Sequence, residues 1–174
     1  MVGTSGSGKT TVGRALAARL DVPFIELDAI FHQPGWTALP REEFRARVAD
    51  VVAADAWVLD GNYSSVLDIV WARADTVVWF DLPRTTVMRQ LVPRTIGRMI
   101  TRRELWNGNR ESLKFLLNRD ESILWWAWTQ HAKYASRFAA AMRNPDNAHL
   151  AFVRVRSRAE ARALLLARDE PDRQ

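Results

Sequence analysis

The 174-residue chain has no cysteine, which excludes disulfides, thiolate metal sites and cysteine nucleophiles. Histidine is scarce as well: His32, His131 and His149 lie far apart in sequence, so a histidine metal cluster is not expected. No apolar run approaches the roughly 18–20 residues that span a bilayer, and no charged region followed by an apolar stretch opens the chain. The expectation is a cytoplasmic protein with no membrane partner. What is plentiful is arginine. It makes up nearly all of the 25 basic residues, which stand against 20 acidic ones for a formal charge of +5. Its planar fork suits phosphate oxygens, although an arginine-rich coding bias gives the same excess, so position has to decide. A chain of this length, 48% hydrophobic and 26% charged, has room for a single domain, expected over residues 1–167, with a charged tail over 168–174.

Short apolar runs alternate with amphipathic stretches, the pattern of a parallel α/β sheet. Strands are expected at Pro23–Leu27, Ala56–Leu59, Thr76–Phe80 and Leu150–Val155. Helices are expected at Lys9–Leu20, from Pro40 onward, at Ser64–Arg73, at about Thr85–Arg103 and over about 111–143. Asp28–Leu39 reads as a loop marked by Pro34 and Gly35, and Ser157 with Glu160 as a capping box that opens a final helix. Four of the eight tryptophans fall between Trp106 and Trp128, where packing of a helix against its neighbours is favoured over a base-stacking surface.

Gly3-Thr4-Ser5-Gly6-Ser7-Gly8-Lys9-Thr10 fits G-x-x-x-x-G-K-[ST] at every required position, and an amphipathic helix carrying Val12, Leu16 and Leu20 follows directly. In such a loop the backbone amides of residues 3–10, with Thr11 just beyond, converge on a phosphate chain. Lys9 reaches the β- and γ-phosphates, and the Thr10 hydroxyl ligates Mg²⁺. ATP and Mg²⁺ are therefore the expected cofactors. Asp60 ends the Ala56–Leu59 run, where α/β sheets bind ligands, and suits the second Mg²⁺-holding role. Asp28 ends the run before it and suits acceptance of a proton from an attacking hydroxyl, a turn or cap being the alternative. Asp81 reads as a structural turn or cap. Arg94, Arg98 and Arg102 recur every fourth residue and form one basic stripe on a helix. With the loop Trp106–Arg110 beyond them, they read as a lid over about 94–118 that brings charge to the transferring phosphoryl group. Only Met1 and Val2 precede Gly3, where a P-loop needs a buried strand, so the native start is expected upstream by about five to eight residues.

These residues resemble the adenylate-kinase-like branch of P-loop kinases. Val58-Leu59-Asp60-Gly61 is similar to the branch's strand ending in Asp-Gly, and Asp81-Leu82-Pro83 followed by Arg94 and Arg98 is similar to its lid entry. Within the branch, GTSGSGKT, LDAIFHQPGW, DGNYS and FDLP are most similar to the bacterial FlaR-like group labelled DNA topology modulation proteins. The resemblance implies a three-layer P-loop NTPase sandwich with five parallel strands in the order 2-3-1-4-5, the first strand largely missing here. It also implies a helical lid insertion and ATP with Mg²⁺. Adenylate kinases follow Asp-Gly with Phe-Pro-Arg, whereas Asn62-Tyr63-Ser64 stands here. A nucleoside monophosphate acceptor loses its arginine, and a hydroxyl-bearing acceptor held by Asp28, Asn62, Tyr63 and Arg102 fits as well. The leading expectation is a small-molecule kinase acting as a monomer or homodimer. The alternatives are an ATP-regulated nucleic-acid-associated protein and a nucleotide binder without catalysis.

Overall fold

The computed structural model describes residues 1–111 and 122–166. Leu113, Leu116 and Leu117, the second part of the expected lid and the charged tail lie outside the described residues.

The chain opens with β1 (Val2–Gly3), the P-loop and α1 (Lys9–Leu20), followed by β2 (Phe24–Glu26). The stretch expected to be a loop holds more structure than that. A short helix α2 (Leu27–Phe31) leads into a hairpin of β3 (His32–Gln33) and β4 (Thr37–Ala38) around a tight turn at Pro34–Trp36. Next come α3 (Arg41–Val52), β5 (Val58–Asp60), α4 (Leu67–Trp71), β6 (Thr76–Phe80) and α5 (Arg84–Ile100). The chain continues with α6 (Ile123–Ala141), β7 (Ala151–Val155) and α7 (Arg158–Leu166). The expected capping box is present, with the Glu160 amide donating to Ser157 Oγ at 3.1 Å and Glu160 Oε2 accepting from the Arg156 amide at 2.8 Å.

All ladders among the five long-range strands are parallel. β2 pairs with β5, β1 with β6 and β6 with β7. No regular ladder joins β5 to β1; hydrogen bonds from three residues close the seam. Met1 N donates to the Leu59 carbonyl at 2.6 Å and Gly61 N to the Met1 carbonyl at 3.2 Å. Asn62 then takes over with its side chain, accepting from Gly3 N at 2.9 Å and donating to the Gly3 carbonyl at 2.8 Å. The sheet therefore runs β2-β5-β1-β6-β7, the expected 2-3-1-4-5 order. The Leu59 carbonyl and the Gly61 amide both find a partner in Met1.

Strand periodicity divides the core into layers. Val78 and Phe80 of β6 face Val12 of α1, Val87 of α5 and the apolar residues of α7, whereas Val77 and Trp79 face Phe138 and Tyr134 of α6. A third cluster packs Phe44, Val48 and Val52 of α3 against Leu27, Leu59, Val66 and Val70. It fixes α2, and with it Asp28, at the edge of the sheet. On α6 the buried face is Ala127 and Phe138, while Trp125, Trp126 and Trp128 are 37–44% exposed. Of the expected tryptophan packing, Trp128 lies under the Arg84 guanidinium of α5, 4.6 Å from ring centroid to Cζ.

Asn62→Ala removes both side-chain bonds at the seam and leaves the Gly3 amide and carbonyl without partners. Leaving such groups unpaired costs about 1–3 kcal/mol. Urea unfolding checks this, and an unchanged midpoint contradicts the role given to Asn62.

Candidate active site

Gly3 takes a φ of 136°, and a Cβ there would sit 2.6 Å from the Phe80 carbonyl oxygen, so only glycine passes at this point. Gly6 and Gly8 are left-handed at φ 84° and 97°, which lets successive amides of the loop converge on an anion. A Cβ on Gly6 would meet Leu91 Cβ at 2.8 Å, so α5 lies directly on the phosphate loop. Thr4, Ser7 and Lys9 are buried, Ser5 and Thr10 half-buried, and Thr11 is exposed on the first turn of α1. Lys9 folds over the loop and donates to the Thr4 carbonyl at 3.0 Å. Burial holds its ammonium below the usual lysine range, against the attraction of Asp60 and Asp28. A phosphate chain supplies the negative charge that such an ammonium lacks.

At the end of β5, Asp60 Oδ2 accepts from Thr10 Oγ1 at 2.5 Å, while its Oδ1 is buried without a partner. Ser7 Oγ is buried without a partner as well. One carboxylate and one hydroxyl side by side, with an orphaned oxygen, fit a Mg²⁺ ion that takes its remaining ligands from water and phosphate. Among the described residues no cluster of three or more His, Asp or Glu forms a protein-only cage.

Asp28 stands on the first turn of α2. Its Oδ1 accepts from the Tyr63 hydroxyl at 2.6 Å, and its Oδ2 has no hydrogen-bond partner among the described contacts. The Tyr63 hydroxyl also meets His32 Nε2 at 3.3 Å. Burial and the neighbouring Asp28 charge raise the Tyr63 phenol far above its ordinary value, so it stays protonated. Burial lowers His32, with Asp28 opposing.

Of the expected arginine stripe, Arg94 and Arg98 lie on α5. Arg94 reaches Ser5 Oγ at 3.4 Å and lies within electrostatic reach of Asp60 and Asp28. Arg98 forms an ion pair with Glu111 at 3.2 Å. Pro93 immediately before Arg94 removes one helix hydrogen bond. The helix ends at Ile100, so Arg102 falls outside the stripe: it is exposed, at a φ of 46°. Asp81, expected to be a turn or cap, pairs instead with Arg154 of β7 at 2.9 and 2.5 Å, and Pro83 occupies the cap of α5.

The loop Trp106–Arg110, expected to be flexible, is docked on the hairpin side of the site. Asn107 Nδ2 donates to the carbonyls of Ala29 (3.0 Å) and His32 (2.6 Å). Buried Asn109 accepts from Trp36 N at 2.8 Å and donates to the Gln33 carbonyl at 2.9 Å. Trp106 Nε1 donates to Glu26 Oε2 at 3.2 Å, and its ring stacks on His32 at 6.1 Å. Sequence reasoning assigned no role to His32, Trp106, Asn107, Asn109 or Glu111. The readable signal was Asn107-Gly108, a pair suited to the left-handed backbone that both adopt.

A family model described as shikimate kinase matches residues 5–47, from the P-loop through Asp28 into α3. A shikimate kinase from Symbiobacterium thermophilum is 34% identical over 123 residues, covering 62% of this chain and 68% of the relative. One from Ruegeria pomeroyi is 32% identical over 129 residues, 61% and 66% of the two lengths. A shikimate kinase 2 from Dickeya chrysanthemi is 47% identical over 58 residues, 33% of this chain and 28% of the relative. The chain thus spans about two thirds of the length of the first two. These likenesses support a P-loop kinase and small-molecule phosphotransferase. They do not reach the finer FlaR-like resemblance, and they lend no support to the nucleic-acid alternative.

The lowered His32 has a consequence for stability. The unfolded chain takes up this proton first, near the ordinary value of 6.5. The stabilisation is therefore fully present above that pH and is lost as pH falls through it toward the lower folded value. Urea midpoints should decline between pH 7 and 5, and His32→Gln should flatten part of the decline. Equal slopes for the two proteins contradict the assignment.

Proposed function

The chain belongs to the shikimate kinase family, and on that basis we propose that it transfers the γ-phosphoryl group of ATP to a hydroxyl of a small acceptor beside Asp28, shikimate being the first to try. The observation that carries this reading is the placement of Asp28. It stands at the sheet edge that holds Asp60, with one carboxylate oxygen committed to Tyr63 and the other without a hydrogen bond among the described residues, within electrostatic reach of Lys9.

The P-loop amides of residues 3–10 and Lys9 would bind the phosphate chain, and Thr10 with Asp60 would hold Mg²⁺. When bound, Mg²⁺ neutralises phosphate oxygens and orients them. Asp28 Oδ2 takes the acceptor's hydroxyl proton as the acceptor oxygen bonds to the γ-phosphorus and the bond to the bridging oxygen breaks. ADP leaves with that electron pair. Arg94, beside Ser5, and Arg98 meet the charge that spreads over the transferring group. Asn62 serves the site through Gly3 and Tyr63 through Asp28. Arg102 is left at the rim, where it can meet an acceptor only from outside.

A hydroxyl-bearing acceptor is favoured over a nucleotide-like one by the named activity of the relatives and by the Asn62-Tyr63-Ser64 stretch, which has no arginine. Within the kinases, DGNYS and LDAIFHQPGW keep the FlaR-like resemblance as a proposed subgroup. A phosphate-backbone surface is disfavoured because Arg98 is paired with Glu111 and Arg102 leaves the stripe.

Labelled ATP with Mg²⁺ and shikimate should yield a labelled acid that is not phosphate or ADP. Asp28→Asn should lower kcat by about 10²–10⁴-fold with nucleotide binding retained, and Arg94→Ala by about 10²-fold. Full turnover in Asp28→Asn, or label passing only to nucleoside monophosphates, contradicts the reading.

A further inference from the structure

We propose that Tyr63 is a positioning residue for Asp28, with its proton direction set by His32, so that the pair holds one carboxylate oxygen and presents the other to the acceptor. This rests on the role given to Asp28 above and adds two residues to it. The argument is one of proton counting. A phenol carries a single proton, and an ionised carboxylate can only accept. The 2.6 Å contact to Asp28 Oδ1 therefore uses the Tyr63 proton. The same oxygen meets His32 Nε2 at 3.3 Å, and two acceptors cannot share that contact, so Nε2 carries the hydrogen and donates. Nδ1 is then a bare lone pair, in keeping with its burial without a partner. Burial also keeps the imidazole neutral, as this arrangement needs.

The surroundings hold each ring in place. The Tyr63 ring packs on Phe31 at 4.7 Å and Phe44 at 5.2 Å. The His32 ring lies edge-on to Phe31 and Trp36 and is stacked on Trp106. Asn107 from the lid segment grips the His32 carbonyl. A carboxylate on a short helix otherwise rotates about its side-chain bonds. Here the hydroxyl of Tyr63 removes that freedom, which is the preorganisation that proton transfer from a bound hydroxyl requires.

Tyr63→Phe keeps the ring packing and deletes only the hydroxyl. The first readout needs no acceptor: long-range ¹H–¹⁵N correlation spectra report which nitrogen of His32 holds the hydrogen. The wild-type protein should show the Nε2–H tautomer, and Tyr63→Phe should show tautomer averaging. A wild-type Nδ1–H tautomer overturns the proposal, because Tyr63 then points its proton at His32. The second readout is turnover of Mg-ATP and shikimate. Tyr63→Phe should lower kcat about tenfold with the KM for ATP unchanged, and should have no further effect in an Asp28→Asn background. Equal loss in both backgrounds overturns the positioning role while leaving Asp28 intact. If shikimate is not phosphorylated at all, the reading of the acceptor falls, and the tautomer still decides this proposal.

Discussion

Gly3 is held from two sides, and the geometry of the site follows from that clamp. On one flank β1 pairs with β6, and a Cβ on Gly3 would collide with the Phe80 carbonyl. On the other, the Asn62 side chain satisfies both the amide and the carbonyl of Gly3. Asn62 lies two residues past Asp60, so the same clamp ties the phosphate loop to the carboxylate that meets Thr10. A loop of amides binds a phosphate chain well only when its direction is set in advance. Here two strands set it before any ligand arrives.

The Asp28 side of the site is built by a different device. Neither the hairpin of β3 and β4 nor the Trp106–Gly108 turn buries enough apolar surface to be stable alone. They hold each other through the amides of Asn107 and Asn109 and the indoles of Trp36 and Trp106. Trp36 and Asn107 both adopt left-handed backbone, a strain that such a docked contact can sustain. The Trp106–Arg110 loop thereby touches the walls around Asp28, while α5 touches the P-loop at Gly6.

Much of this was legible in the residues. The glycine spacing around Lys9, the run into Asp60 and the apolar run Thr76–Phe80 each reflect a local rule, and the strand order and loop geometry agree with them. The hairpin after Asp28 was not legible, because strands of two residues leave no periodicity to read. The fate of Arg102 turned on where α5 ends, and spacing alone cannot locate a helix end. The Tyr63–Asp28 contact joins residues 35 apart in sequence, and only tertiary packing brings them together.

The central claim is that backbone amides and the Lys9 ammonium grip a triphosphate at the head of α1. Equilibrium dialysis with labelled ATP, with and without Mg²⁺, tests it most directly. The account predicts saturable, Mg²⁺-strengthened binding that Lys9→Ala weakens at least about tenfold, as loss of one charge-assisted contact implies. Binding of equal strength in Lys9→Ala, or none in the wild-type protein, would contradict it.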